Sequence, residues 1–174
     1  DLLGRVAYTG INTGGARTVE QASADGALAN YVERKAAVSF TQNGLGVYYG
    51  NPTGLTTYPS GISTLLSVNY YDTYLAETPS IAYQLISQND LLTDNFTAVK
   101  NTKGLTTASL VKNIENDSWT KNYSWYDQKG RAVSTYSQNH LGGYTRTEVE
   151  LDFSGTPQKS YAYHKRLSTD TEIA

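Results

Sequence analysis

A chain of 174 residues is long enough for one domain with a sizeable core. Its net charge of −2 and its 17% of charged residues offer no basic surface for nucleic acid or anionic membrane, so the scattered Lys and Arg read as a solvated surface. With no Cys it has neither a disulfide framework nor a thiolate metal site, and no apolar run approaches the ~20 residues of a membrane helix.

Tyrosine dominates the aromatics, with 15 Tyr against 3 Phe and 2 Trp. Its ring packs on a pleated surface while its hydroxyl stays wet, so this bias, with abundant Thr, Ser, Asn and Gly, predicts a solvent-bathed β-protein rich in turns. Taken in order, Asp1-Leu2-Leu3-Gly4-Arg5 is a turn unit in which Asp accepts backbone N–H bonds and Gly supplies a positive φ. Residues 18–34 are rich in helix formers and predict one helix or two short ones, broken near Gly26, with Thr18 as N-cap. They read as a docking element or as a connection that covers a sheet. A hairpin is expected around Gln42-Asn43-Gly44, then a loop over 51–61, strands over 63–71 and 78–84, a polar loop over 88–103, and a strand over 105–111.

The most regular stretch runs from Trp119 to His164. It reads as strand, Asp-x-x-Gly turn, strand, Asn/Gly turn, strand, Asp-x-x-Gly turn, strand. Asp127, Gly130, Asp152, Gly155, Gly142 and Gly143 are its turn-forming residues, and Tyr126-Asp127 is nearly repeated as Leu151-Asp152, 25 residues later. Trp119, Tyr123 and Trp125 share one face and Tyr126 lies on the other. With Tyr136 and Tyr144 nearby, this aromatic row is either the packed face of the sheet or a surface for stacking sugars. In the third strand Thr145, Thr147, Val149 and Leu151 are assigned to the dry face. Arg146, Glu148, Glu150 and Asp152 are assigned to the wet one. Such one-sided strands fit an antiparallel meander.

Chemistry-bearing constellations are sparse. His140 and His164 stand far apart in sequence without Cys, which is too little for a zinc site. Glu148, Glu150 and Asp152, with His140, are the only basis for a hydrolase reading, and the acids are too few for a calcium cage. Gly14-Gly15 lacks the Lys-Ser/Thr of a phosphate loop. No catalytic, cofactor-binding or metal-binding residue is assigned.

At Tyr126-Asp127-Gln128-Lys129-Gly130-Arg131, Asn139-His140-Leu141-Gly142-Gly143 and Asp152-Phe153-Ser154-Gly155 the chain resembles the bacterial Rhs/YD-repeat family. In particular it resembles the large secreted or surface-associated YD-repeat proteins of Bacteroidetes, to which 68–74 and 102–106 are also similar in this order. The resemblance is strongest over 102–164 and extends to 63–75 and 1–10. It implies an all-β antiparallel meander, a segment of a spiral sheet or shell with one short helical excursion. On this reading 1–15 is a partial YD unit, 16–35 the helical excursion, 36–101 irregular hairpins with loops, and 102–174 the YD-repeat sheet. It implies a structural, non-enzymatic wall in a secreted or cell-surface protein, whose partners are other parts of the same long polypeptide, a secretion machinery or an enclosed toxin or effector, and a glycan if the aromatic row is exposed. The family's self-cleavage segment, built around aspartates, has no match here. The absence of Met even at position 1 and a start inside a turn unit suggest a piece of a longer polypeptide. Two departures stand out: Tyr71-Asp72 lacks its Gly, and Leu151 replaces Tyr before Asp152.

Overall fold

The computed structural model describes residues 1–59 and 61–174. It is mostly β, with one large antiparallel sheet and one helix. The strands are β1 (Tyr8–Ile11), β2 (Glu33–Arg34), β3 (Phe40–Gln42), β4 (Leu45–Val47), β5 (Tyr49–Gly50), β6 (Thr64–Tyr71), β7 (Thr106–Lys112), β8 (Trp119–Tyr126), β9 (Ala132–Gln138), β10 (Gly142–Leu151) and β11 (Pro157–Leu167). The large sheet has the order β1-β6-β7-β8-β9-β10-β11, so from β6 onward every strand lies beside its neighbour in sequence. This is the meander that short polar turns between alternating strands dictate.

The chain divides into two units, residues 1–68 with 114–118 and residues 69–113 with 119–174. The first holds β1 paired with the start of β6, and two small sheets, β2-β5 and β3-β4. Its core is built from Ala7, Leu45, Val47, Tyr49, Leu65 and Val68. The β3-β4 hairpin turns at Asn43-Gly44, both with positive φ (49° and 73°), as a two-residue hairpin requires. The Asn43 side chain also accepts from the Leu65 N–H at 2.8 Å, so the turn residue ties the hairpin to β6.

The only α-helix among the described residues, α1, spans Arg17–Asp25 and stops at Gly26; a single 3-10 turn lies at Gln88–Asp90. The expected Thr18 cap is absent, because Ala16 occupies the N-cap and makes no side-chain bond. Glu20 instead reaches back to the Gly15 N–H at 2.6 Å, satisfying a donor near the helix start from inside the first turn. The helical composition of 27–34 is overridden, and Glu33–Arg34 pair with Gly50 and Tyr49 as strand. The loop expected over 51–61 is irregular, with one bridge from Thr57 to Ala29. Ser60 within it lies outside the described residues.

In the second unit β8, β9 and β10 pair in tight register. Tyr123 is opposite Tyr136, and Tyr136 is opposite Arg146. Arg146 is in turn opposite Tyr163 on β11. The strand expected over 78–84 does not form. Residues 73–87 hold no strand and pass over one face of the sheet through the contacts described below.

Candidate functional site

The turns are the most repetitive feature. In Asp127–Arg131 the Asp127 Oδ1 accepts the N–H of Lys129 and of Arg131, each at 2.9 Å, while Oδ2 receives Arg131 Nε at 2.7 Å. The Gly130 N–H closes on the Asp127 carbonyl, and Gly130 has φ of 76°. Asp1–Arg5 repeats this bond for bond: Asp1 Oδ1 takes Leu3 N–H and Arg5 N–H, Oδ2 takes Arg5 Nε, and Gly4 has φ of 75°. Asn139 does the same with Leu141 and Gly143, its Gly142 at φ 81°. Asp152 binds Thr156 N–H and Ser154 Oγ, with Gly155 at φ 95°. One local solution, an Asx side chain closing on backbone N–H groups with glycine at the left-handed position, thus recurs at each of these corners. Gly143 differs. It has no positive φ; it lies in β10, where a Cβ would run into the carbonyl oxygens of Lys165 and Arg166. It serves close backbone approach, while its N–H and carbonyl still close the turn on Asn139.

Asp72, which lacks a following glycine in sequence, finds one 32 positions later. Its Oδ1 accepts the Gly104 N–H at 2.6 Å, and its own N–H donates to the Leu105 carbonyl at 3.0 Å. The bond to the Leu105 carbonyl matches that from the Asp127 N–H to the Arg131 carbonyl, but the rest differs: the Gly104 N–H meets the side chain rather than the Asp carbonyl, the Leu105 N–H goes to the Thr102 carbonyl, and Asp72 itself takes a positive φ of 71°. The β6-β7 corner thus brings an Asp and a positive-φ glycine together across a long insertion with its own bonding pattern, and Thr102 Oγ1 on the Asp72 carbonyl holds the seam.

That insertion covers one face of the sheet. Tyr74 stacks on Trp125 with ring centres 6.1 Å apart. Glu77 pairs with Lys121 at 3.1 Å. Arg146 Nη1 donates to the Ala82 carbonyl, and Glu148 receives the N–H groups of Gln84 and Leu85, each at 2.8 Å to Oε2. Glu148 is 2% exposed. Assigning Arg146 and Glu148 to the wet face is thus overturned, and the reason is physical. Alternation separates two faces without saying which one another segment covers. Here the covered face holds Tyr123, Trp125, Tyr136, Arg146, Glu148 and Tyr163, while Thr145 on the other face is exposed and bonded to His164 Nδ1. Glu150 stays partly exposed beside Lys159, 3.5 Å away.

The aromatic row is packed. Trp119, Tyr123 and Trp125 are 8%, 2% and 7% exposed, leaving no ring face for a sugar. Tyr126 projects to the other side and donates to the Thr106 carbonyl at 2.6 Å. Tyr136 stacks on Tyr144 at 4.7 Å, and the Arg146 guanidinium lies 3.6 Å from the centre of the Tyr163 ring, a cross-strand pair of the kind that stabilises sheets.

Electrostatics follow from these contacts. Burial pushes the Asp127 carboxyl up, but the Arg131 guanidinium and the N–H groups of Arg131 and Lys129 outweigh it and hold it below the usual value. Arg146 and the Tyr144 hydroxyl hydrogen-bond Glu172 and hold its carboxyl low, and that same bond, with burial, raises Tyr144 to about 12. Burial, with the Glu148 charge adding to it, raises Tyr83 to about 12 against the opposing bond to Ser134. Each of these groups is held in the ionisation state its neighbours require, the condition of a structural network.

His140 is exposed at its turn, and no cluster of three or more His, Cys, Asp or Glu capable of holding a metal exists among the described residues. Among the described residues no helix is long and apolar enough to cross a membrane. No protein-family model, curated protein or solved structure matches this chain.

Proposed function

We propose that this chain is a wall segment: a non-catalytic antiparallel sheet in a large secreted or cell-surface protein of the YD-repeat kind, built to enclose or present an effector used in bacterial competition. The observation that carries the reading is the recurrence of one turn geometry at residues 1–5, 127–131, 139–143 and 152–156. A repeated strand-and-corner unit makes sheet indefinitely, and its side chains act through packing rather than through a pocket. The acids that a hydrolase reading would use are engaged otherwise: Glu148 holds backbone N–H groups and Asp152 closes a turn.

The outer edge of the sheet supports the same reading. His164 exchanges both backbone bonds with Ile173 on the side away from β10. Alternation turns the backbone groups of Ser160 and Ala162 to that side as well, where no described strand meets them. The test is the reading frame that encodes this chain. Further Tyr-Asp-x-x-Gly units on both sides of residues 1–174 are expected; a free-standing gene of this length contradicts the proposal.

A further inference from the structure

The first unit contains a cleft of about 530 Å³ whose lining includes Tyr8, Ser39, Phe40, Gln42, Asn51 and Ile62. It lies wholly within residues 1–68 and shares nothing with the aromatic row of β8. Three properties define what fits it. First, no charged residue is among the described residues that line it, so a charged ligand would be desolvated there without a counter-charge. Second, one wall is aromatic: Phe40 and Tyr8 meet edge to face with ring centres 6.1 Å apart, and Tyr49 backs Tyr8 at 6.3 Å. Third, neutral hydrogen-bonding groups surround that wall in fixed orientations. Thr57 Oγ1 donates to Asn51 Oδ1 at 2.7 Å, which leaves the Asn51 Nδ2 as a donor. Gln42 Nε2 donates to the Ser63 carbonyl at 2.8 Å, which leaves the Gln42 Oε1 as an acceptor. The Tyr8 hydroxyl makes no hydrogen bond among the described residues.

Gly50 also lines the cleft, and an added Cβ there would meet Ser39 Oγ at 2.5 Å and Lys35 Cε at 3.3 Å. The volume is within the range of small-ligand sites. A ring with one apolar face and a rim of neutral hydroxyls satisfies all three conditions at once. We infer that this cleft binds a neutral sugar, the apolar ring face against Phe40 and the hydroxyls on Asn51 Nδ2, Gln42 Oε1 and the Tyr8 hydroxyl. The assignment does not rest on the wall reading and moves sugar recognition away from Trp119 and Trp125.

Saturation-transfer NMR on the intact chain tests it. The probes are neutral monosaccharides, their methyl glycosides and neutral oligosaccharides, with gluconate and glucosamine as charged controls. Transfer to ring protons of at least one neutral sugar is expected, with none to the charged controls. A preference for the glycosides and oligosaccharides identifies a glycan end; a preference for the free sugar identifies a soluble ligand. Asn51→Asp, which keeps the Oδ1 acceptor for Thr57 and removes the Nδ2 donor, should weaken binding about tenfold with unchanged melting, and Phe40→Ala should abolish it. Absence of transfer from every neutral sugar, binding of the charged controls alone, or binding that survives both substitutions overturns the assignment.

Discussion

Replacing Glu148 by Ala tests the clamp that holds the covering segment to the sheet. The Glu148 carboxylate, 2% exposed, accepts from the N–H groups of Gln84 and Leu85. Hydrogen bonds to a charged acceptor contribute roughly 1.5–3 kcal/mol each, and a buried donor left unpaired costs a similar amount. Two donors set an upper value near 6 kcal/mol; water reaching the vacated site would satisfy part of this, so about 3 kcal/mol is expected. Glu148→Gln keeps one acceptor oxygen for the two N–H groups but loses the charge assistance and the second contact of the Gln84 N–H with Oε1, which leaves a cost of about 1–2 kcal/mol. Urea unfolding followed by the fluorescence of Trp119 and Trp125, both buried in the same unit, measures the change. Amide exchange at Gln84 and Leu85 reads the clamp itself. If Glu148→Ala stays within ~0.5 kcal/mol of the parent and those amides keep their protection, the carboxylate does not hold the segment and the reasoning fails.

Two glycines separate conformational from steric cost. Gly130→Ala, with nothing near the added methyl, should lose about 1–2 kcal/mol from its positive φ alone, whereas Gly143→Ala should lose about 2–3 kcal/mol by driving β11 away; thermal melts with exchange data on 165–166 distinguish them. Asp127→Asn should destabilise by roughly 1–2 kcal/mol at neutral pH. The Asp127 carboxyl is depressed in the folded state, so its contribution is present above about pH 4 and lost as pH falls through the folded value; parent and variant should converge in acid melts. Tyr83 and Tyr144 are raised to about 12. Their contribution is complete below the ordinary tyrosine value of about 10 and is lost as pH climbs from there toward 12, so alkaline titration at the tyrosinate absorbance should show the transition in that window. Trp125→Ala should cost about 3–5 kcal/mol by emptying the site under Tyr74, and a variant that melts like the parent would contradict the packing.

The strands from Trp119 to Leu167 were legible because two local signals agree there, period-two alternation and Asx-x-x-Gly corners at fixed spacing. What alternation cannot say is which face another segment will cover. Thr147 and Val149 look like a dry face by composition, yet Arg146 and Glu148 are covered because Ala82, Gln84 and Leu85 supply their partners from more than 60 positions away. The same long range hid the corner at Asp72, whose glycine is Gly104. Residues 78–84 have strand-like composition, but their backbone groups meet side chains of β10 instead of another strand. In 27–34 helix propensity was real and local, and pairing of Glu33–Arg34 with β5 outweighed it. The cleft near Tyr8 had no sequence signature, since its lining comes from separate turns and strands of the first unit.

The wall reading is tested most directly at the edge of β11. Electron cryo-microscopy of the polypeptide as its gene encodes it places that edge. The account predicts a further strand hydrogen-bonded to the outward backbone groups of Ser160 and Ala162, entered through another Asx-x-x-Gly corner; a β11 edge facing solvent in that protein would contradict it.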